Sequence, residues 1–305
     1  MHRRNDTVEF FIVGFSDAPN LWFPLFIFFL LVYILTIVGN LTLILIICYS
    51  SSLKTPMYFF LCNLSFLDIV YTSVTSPKLI HIFVTNNGRT SFSECIIQLF
   101  FIVAFWNTEY LILTVMSYDR YVAICKPLHY TMIMKSTVCR IAAAGTWIGG
   151  LLGSITPTGS TAMAKFREFN TLNHFFCDIK ALEKVAIGND SYIRNAIFIH
   201  GLLYVATAFT FTLISYIFIV TTVLKIHTKR GKYKAFSTCA SHLSIVSLFY
   251  TLLFGLYFSP KSTVSLNQGK VLTVLYVYMI PLLNPVVYSF RNRDVKEACR
   301  KILTM

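Results

Sequence analysis

A long uncharged stretch of the chain runs from Asn195 to Leu224 and holds no acidic or basic charge over 30 residues. At about 1.5 Å per residue, a helix of this length exceeds the roughly 30 Å of a bilayer's hydrocarbon core. In lipid, every backbone N–H and C=O group must be hydrogen-bonded either within a helix or between the strands of a closed barrel. A single apolar stretch can satisfy this requirement only as a helix. The stretch therefore predicts a membrane-spanning helix with an extension beyond the bilayer.

Six more stretches are long and apolar, and only two of them hold a charged residue, Asp68 and Glu109. The seven stretches predict an all-α membrane protein: one domain, 1–305, folded as a seven-helix bundle. The chain is 56% hydrophobic and 13% charged, unlike soluble proteins. The predicted spans are 24–49, 57–77, 95–118, 141–157, 195–224, 236–259 and 271–290. Residues 1–23 form a tail, and 291–305 is expected to contain a short amphipathic helix, because apolar residues recur there at helical spacing. These residues are Val295, Ala298, Cys299 and Ile302.

Positive charge is concentrated at one end of this predicted bundle. If the end that carries Asp119 and Arg120 faces the cytoplasm, 15 of the 26 Lys and Arg residues are cytoplasmic, against 3 of the 13 Asp and Glu residues. The positive-inside rule then places the amino terminus outside and the carboxyl terminus in the cytoplasm of a multi-pass plasma-membrane protein. The same distribution explains the net charge of +13 without nucleic acid, and membrane lipids are the expected surroundings.

The cysteines and one sequon fit this orientation. Of eight cysteines, only Cys95 and Cys177 fall on the predicted outer side, where a disulfide persists, so we expect them to pair and hold the long outer loop over the bundle. Asn5 begins an Asn-Asp-Thr sequon in the predicted extracellular tail, where N-glycosylation is expected. The apolar run from Phe10 to Phe15 is too short for the core of a cleavable signal peptide.

Four polar residues are predicted near the middle of the membrane. By helix counting, Asp68 and Glu109 both lie about 16 Å from the inner surface, Asn40 about 15 Å and Asn284 about 10 Å. Each ionisable group costs roughly 2.5 to 3.5 kcal/mol in the bilayer, and two close carboxylates cannot both stay ionised without a cation or a shared proton. Two interpretations remain open: a sodium or proton site that biases the protein's state, or a static hydrogen-bonded network. No other cofactor or metal is expected.

Met116 to Tyr130 reads MSYDRYVAICKPLHY. On charge alone, Asp119 beside Arg120 is either a latch at the inner face or an interfacial ion pair. The segment closely resembles the signature of vertebrate olfactory receptors of the tetrapod-type class, a branch of the rhodopsin-like G-protein-coupled receptors. Further segments resemble the same family in the same order: Gly39-Asn40, PMYFFLCNLSFLD at Pro56 to Asp68, HFFCD at His174 to Asp178, Ser215-Tyr216, KAFSTCASHL at Lys234 to Leu243 and PLLNPVVYSFRN at Pro281 to Asn292.

The resemblance implies a receptor for small, mostly apolar volatile ligands that activates a heterotrimeric G protein, of the stimulatory olfactory type that raises cyclic AMP. It also implies a switch at the inner end, formed by Asp119, Arg120, Tyr121, Tyr216 and Tyr288. The implied pocket lies among spans three, five, six and seven. Helix counting selects its candidate contacts: Val103, Trp106, Asn107, Tyr110, His200, Tyr204, Tyr250, Leu253 and Tyr257. Aromatic residues at this spacing are equally typical of packing, and His200 could instead be a hydrogen-bonded helix histidine or face lipid.

The sequence also departs from the family. Arg167 and Ile187 stand where the family commonly has two further cysteines, so the outer loop should be held by one disulfide and be more mobile than usual. Tyr110 and Thr251 replace a frequent cysteine and a usual glycine, and either change could reshape the pocket floor. The alternatives are a non-olfactory chemosensory receptor of this fold or a transporter or channel. An enzyme has little support, because the water-facing loops show no nucleophile–base pair or metal-ligand spacing.

Overall fold

The structure, a computed structural model, describes residues 8–15, 19–188, 191–257, 266–291 and 293–303. Its helices are α1 (Trp22–Tyr49), α2 (Pro56–Thr85), α3 (Phe92–Cys125), α4 (Tyr130–Ile133), α5 (Ser136–Met163), α6 (Ile179–Val185), α7 (Ser191–His200), α8 (Thr207–Lys225), α9 (Lys229–Tyr257), α10 (Leu266–Val274), α11 (Ile280–Arg291) and α12 (Arg293–Leu303). Spans one to four are α1, α2, α3 and α5. Span five joins α7 to α8 through the π-helical Gly201–Ala206, span six is α9, and span seven joins α10 to α11 through the π-helical Leu275–Met279.

The predicted seven-helix fold is confirmed. Within the described ranges, six helices are long and apolar enough to cross a membrane, and span six contributes a shorter apolar stretch, Cys239–Gly255. Helix α9 begins ten residues before that stretch, so about 15 Å of it extends beyond the hydrocarbon. The basic segment predicted as an inner loop, 225–234, is therefore largely helical, because a helix can continue into water where its charged side chains are solvated.

Helix ends differ from the predicted span ends for local reasons. Helix α2 contains Pro77 and continues to Thr85, where Asn86 adopts a left-handed conformation (φ 52°) that ends it. Helix α3 starts at Phe92 because Ser91 and Glu94 form a reciprocal capping box. Residues predicted to form the first outer loop are thus mostly helix and strand.

Span three is the centre of the bundle. It packs against spans two, four, five and six, and 61% of its most apolar stretch is buried, against 28% in span one and 22% in span five. Span one instead exposes Leu31, Leu35 and Leu41, each about half accessible, on the surface that lipid would cover. We call the two ends of the bundle the disulfide end, at Cys95, and the Arg120 end.

A small sheet covers the disulfide end and was not predicted. Strand β1 (Glu9–Ile12) pairs antiparallel with β2 (Arg89–Ser91) and parallel with β3 (Phe169–Leu172). Phe10 and Ile12 are buried beneath it. The segment 1–23, predicted only as a tail, therefore contributes an ordered strand, while Asn5 and its sequon lie outside the described residues.

The chain beyond β1 is anchored to the bundle. Gly14 takes a positive φ of 62°, a conformation that favours glycine, and its carbonyl accepts a hydrogen bond from Lys270 Nζ at 3.0 Å. The Phe15 ring then stacks on Phe29 and Phe175, with centroids 5.2 and 5.5 Å away. The amino-terminal segment is thereby tied to spans one and seven and to the long loop.

The long loop is held by the predicted disulfide between Cys95 and Cys177, with sulfurs 2.03 Å apart. Gln98 reinforces it by accepting a hydrogen bond from the Cys177 N–H at 3.0 Å. The loop also has backbone tethers: β3 pairs with β1, and the Ile187 N–H donates to the Lys165 carbonyl at 2.7 Å. This last bond is made by Ile187 itself, one of the two positions where the family commonly has an extra cysteine, and it ends two residues before the other, Arg167.

The amphipathic helix α12 forms where predicted. Its Val295 and Ala298 are buried and join the main apolar core rather than facing outward. Tyr58 Oη on span two donates to Asp294 Oδ2 at 3.1 Å. The helix is therefore attached to the Arg120 end of the bundle.

Candidate ligand and signalling sites

Asn107 occupies a fully buried position in span three, on the disulfide-end side of its centre. Its Nδ2 donates to the Gly150 carbonyl at 3.3 Å, and its Oδ1 lies 2.7 Å from His200 Nε2. A Cβ on Gly150 would lie 2.0 Å from Thr108 Oγ1, so glycine is what lets spans three and four approach this closely. Because Asn107 Oδ1 can only accept, the neutral His200 ring carries its proton on Nε2 and presents Nδ1 as an acceptor.

His200 is half-buried and faces the bundle. Its ring stacks on Tyr204, with centroids 5.1 Å apart, and Tyr204 Oη donates to the Gly149 carbonyl at 3.2 Å. Of the three interpretations of His200, the structure shows the hydrogen-bonded helix histidine, and contact with a ligand stays a prediction. We call Asn107, His200 and Tyr204 the polar triad.

Most of the other predicted contacts are buried in the main apolar core, against which Tyr204 of the triad packs, and because most of them are aromatic we call them the aromatic wall. Trp106 Nε1 donates to Tyr71 Oη at 2.5 Å. Tyr110 meets Phe249 edge-on at 5.3 Å. Also buried are Val103, Tyr250 and Leu253, of which Val103 packs with the disulfide rather than with the main core. The side chain of Tyr257, at the end of α9, lies outside the described residues. Thr251 is exposed on the bundle surface, so the expectation that it reshapes the pocket floor is wrong.

The mid-membrane polar residues all bond to span seven. Asp68 Oδ2 accepts from Asn284 Nδ2 at 2.8 Å, and Glu109 Oε2 accepts from Tyr276 Oη at 3.3 Å. Asn40 Nδ2 donates to the Pro281 carbonyl at 3.0 Å. Both carboxylates are buried. The contacts of a hydrogen-bonded network joining spans one, two, three and seven are therefore present, and sodium binding stays a prediction.

At the opposite end, Arg120 and Asp119 form a buried ion pair. Arg120 donates through both Nε, at 2.9 Å, and Nη2 to Asp119 Oδ2. Asp119 is fully buried and Arg120 is 9% exposed, so the pair is shielded from solvent. The second carboxylate oxygen, Oδ1, accepts from Tyr130 Oη in the short helix α4, at 2.8 Å. This third group makes the arrangement more constrained than an ion pair alone.

The three tyrosines of the implied switch lie around this pair. Tyr216 Oη on span five lies 2.6 Å from His242 Nδ1 on span six. Tyr121 packs against Phe218 at 5.8 Å. Tyr288 on span seven is 1% exposed. Spans three, five, six and seven thus all bring a named residue to the Arg120 end.

Sequence reasoning missed several partners. Tyr130 and His242 stand inside the quoted motifs MSYDRYVAICKPLHY and KAFSTCASHL, so a signal for both was present. Gly150, Tyr71 and Tyr276 meet their partners only through packing between spans, and no local pattern marks them.

A central third span, a disulfide from one of its ends to a long loop and a buried Asp-Arg pair at its other end define the fold of a rhodopsin-like G-protein-coupled receptor. The structure is similar to the crystal structure of squid rhodopsin, with a TM-score of 0.73 and 20% identity over 93% of this chain and 82% of that one.

The chain belongs to the olfactory receptor family. The family model described as "Olfactory receptor" matches residues 29–305. Olfactory receptor 5B12 of Homo sapiens is 43% identical over 303 residues, which cover 99% of this chain and 96% of the relative. Olfactory receptor-like protein COR4 of Gallus gallus is 42% identical over 294 residues, covering 96% and 94%. The protein is therefore a multi-pass membrane protein of a family of receptors.

Proposed function

We propose that this receptor binds small, mostly apolar volatile ligands near its disulfide end and activates a stimulatory, olfactory-type G protein at its Arg120 end, raising cyclic AMP. In this proposal the disulfide end faces outward and the Arg120 end faces the cytoplasm of the plasma membrane. The disulfide, which requires an oxidising compartment, and the basic charge at the other end support this orientation.

The polar triad is the observation that carries the ligand proposal. Small-molecule sites are mostly apolar with a few placed polar groups, and here three buried or half-buried polar side chains interrupt an aromatic wall. His200 Nδ1 is the acceptor available to a ligand, which favours volatile alcohols over hydrocarbons of the same shape. We propose that the apolar part of the ligand contacts the wall residues Trp106, Tyr110, Tyr250 and Leu253, together with Val103 and Tyr257.

Magnitudes limit what such a ligand can do. An odorant of about 12 heavy atoms, at 0.3 to 0.7 kcal/mol per atom, gains on the order of 4 to 8 kcal/mol, which corresponds to millimolar to micromolar affinity. Only the part of this energy that differs between inactive and active states shifts the equilibrium. Allosteric couplings of about 1 to 3 kcal/mol are within reach of such a ligand.

The proposed response is a movement of span six that releases Arg120 from Asp119 and opens a cleft for the G protein. Tyr121, Tyr216 and Tyr288 would repack around the freed guanidinium. A sodium ion at Asp68 and Glu109 would stabilise one of the two states. Arg120→Ala should then reach the cell surface and raise no cyclic AMP, and normal signalling by this variant would refute the mechanism.

The ligand proposal is tested with a panel of volatile alcohols and matched hydrocarbons in transfected cells, read out by cyclic AMP. His200→Phe should weaken the potency of active alcohols by about five- to 150-fold, because a ligand hydroxyl left without its buried acceptor costs about 1 to 3 kcal/mol. Phe198→Leu, two residues away and 70% exposed, is the matched control and should leave potency unchanged. Unaltered potency in His200→Phe at equal surface expression would place the ligand elsewhere.

A further inference from the structure

A cavity lies at the Arg120 end, on the lateral surface of the bundle between spans one, two and four. Its volume is about 690 Å³, within the 300 to 1,000 Å³ range of small-molecule sites. Its walls are largely apolar and include Ile47, Phe59, Phe66 and Met134. Phe59 and Phe66 are 37% and 52% exposed, so the cavity opens sideways toward lipid rather than into the bundle.

The mouth of this lateral cavity is positively charged. Lys54 and Arg140 both line it and are both exposed. Among the described residues neither forms an ion pair, and the cavity lining contains no Asp or Glu. The two cations therefore lack an anionic partner within the described part of the chain.

Two helix starts add to this charge. Helix α2 begins at Pro56 and α5 at Ser136, both residues line the cavity, and neither helix has a side-chain cap. The first N–H groups of a helix lack intrahelical acceptors and carry partial positive charge. The cavity therefore combines an apolar wall with a cationic rim at the end where we place the cytoplasmic leaflet.

We propose that the lateral cavity binds an anionic phospholipid of the inner leaflet. The phosphate and acidic headgroup lie between Lys54 and Arg140, and an acyl chain lies along Phe59 and Phe66. Basic pockets between transmembrane helices at the cytoplasmic side suit anionic headgroups, whereas a sterol would leave both cations unpaired. The site is separate from the polar triad, and only its assignment to the inner leaflet rests on the orientation proposed above.

The first test uses the unaltered receptor in nanodiscs of phosphatidylcholine with equal minor fractions of phosphatidylserine and cholesterol. Native mass spectrometry should show retained phosphatidylserine enriched at least fivefold over its bulk fraction. A photoreactive acyl chain on phosphatidylserine should cross-link to peptides of α2 and α5. Preferential retention of cholesterol, or cross-links confined to other spans, would overturn the proposal.

The second test compares two double variants of equal charge change. Lys54→Gln/Arg140→Gln should lower phosphatidylserine retention at least fivefold. Lys225→Gln/Lys229→Gln removes two exposed bases at the same end but away from the cavity, and should leave retention close to that of the unaltered receptor. Equal losses in both variants would mean attraction to general surface charge, and no loss in the first would remove the site. All four positions are exposed, and matching melting temperatures check that both variants fold.

Discussion

The two ends of span three are stabilised differently. At the disulfide end the bonds join distant parts of the chain: Asn107 to His200, 93 residues apart, and Lys270 to Gly14, 256 apart. At the Arg120 end the bonds of the ion pair are local: Asp119 pairs with its neighbour and with Tyr130, 11 residues on. Other bonds there join separate spans, as Tyr216 does with His242. The bonds of Asp119 are therefore encoded in one short motif, while the polar triad and the cover of the disulfide end depend on how several spans and loops come together.

Among the changes that test this comparison of the two ends, removing the disulfide should have the largest effect. Cys95→Ser/Cys177→Ser should lose most surface expression, because a cross-link closing an 82-residue separation contributes about 2 to 5 kcal/mol. Cell-surface immunostaining measures it. Cys48→Ser, which removes an exposed free thiol, is the control and should be expressed normally. Normal expression of the double variant would show that the sheet and backbone tethers suffice.

At the Arg120 end, Asp119→Asn should raise the signalling that occurs without ligand. The amide cannot form an ion pair with Arg120, so the inactive arrangement loses about 1 to 3 kcal/mol. The active fraction then rises about five- to 150-fold while it remains small. Basal cyclic AMP per surface receptor is the readout. Tyr130→Phe removes only the hydrogen bond to Oδ1 and should produce a smaller rise. An unchanged basal level of cyclic AMP in Asp119→Asn would show that the ion pair does not hold the receptor inactive and has only a structural role.

The smallest expected effect concerns acid sensitivity of the disulfide end. Burial lowers the pKa of His174 in the long loop, nearby Lys270 and Lys184 lower it further, and Asp178 partly opposes them. Because the folded pKa lies below the usual 6.5, stability is full at higher pH and is lost as pH falls through the range below 6.5. The melting temperature should drop by a few degrees between pH 7.5 and 5.5.

His174→Gln should reduce that drop, whereas His81→Gln, at an exposed position, should not. An identical pH dependence in His174→Gln would assign the effect to other groups.

Sequence reasoning succeeded where a single helix carries the information. Helix counting selected Val103, Trp106 and Asn107 within span three, and all three are buried there, while their contact with a ligand stays a prediction. Strand β1 could not be predicted, because four residues carry little strand signal and their partners lie about 80 and 160 residues away. Depth counting placed Asp68 and Glu109 at the same level of the membrane. It could not predict that they bond to Asn284 and Tyr276 of span seven, because those bonds depend on how each helix is rotated about its axis.

The central claim is that the two ends are thermodynamically coupled, and reciprocity gives its most direct test. The affinity of the most potent alcohol from the panel is measured on purified receptor with and without nucleotide-free stimulatory G protein. The account predicts that the G protein at the Arg120 end tightens ligand binding at the disulfide end by about five- to 150-fold, and that Arg120→Ala abolishes this gain. An affinity that stays the same when the G protein is bound would contradict it.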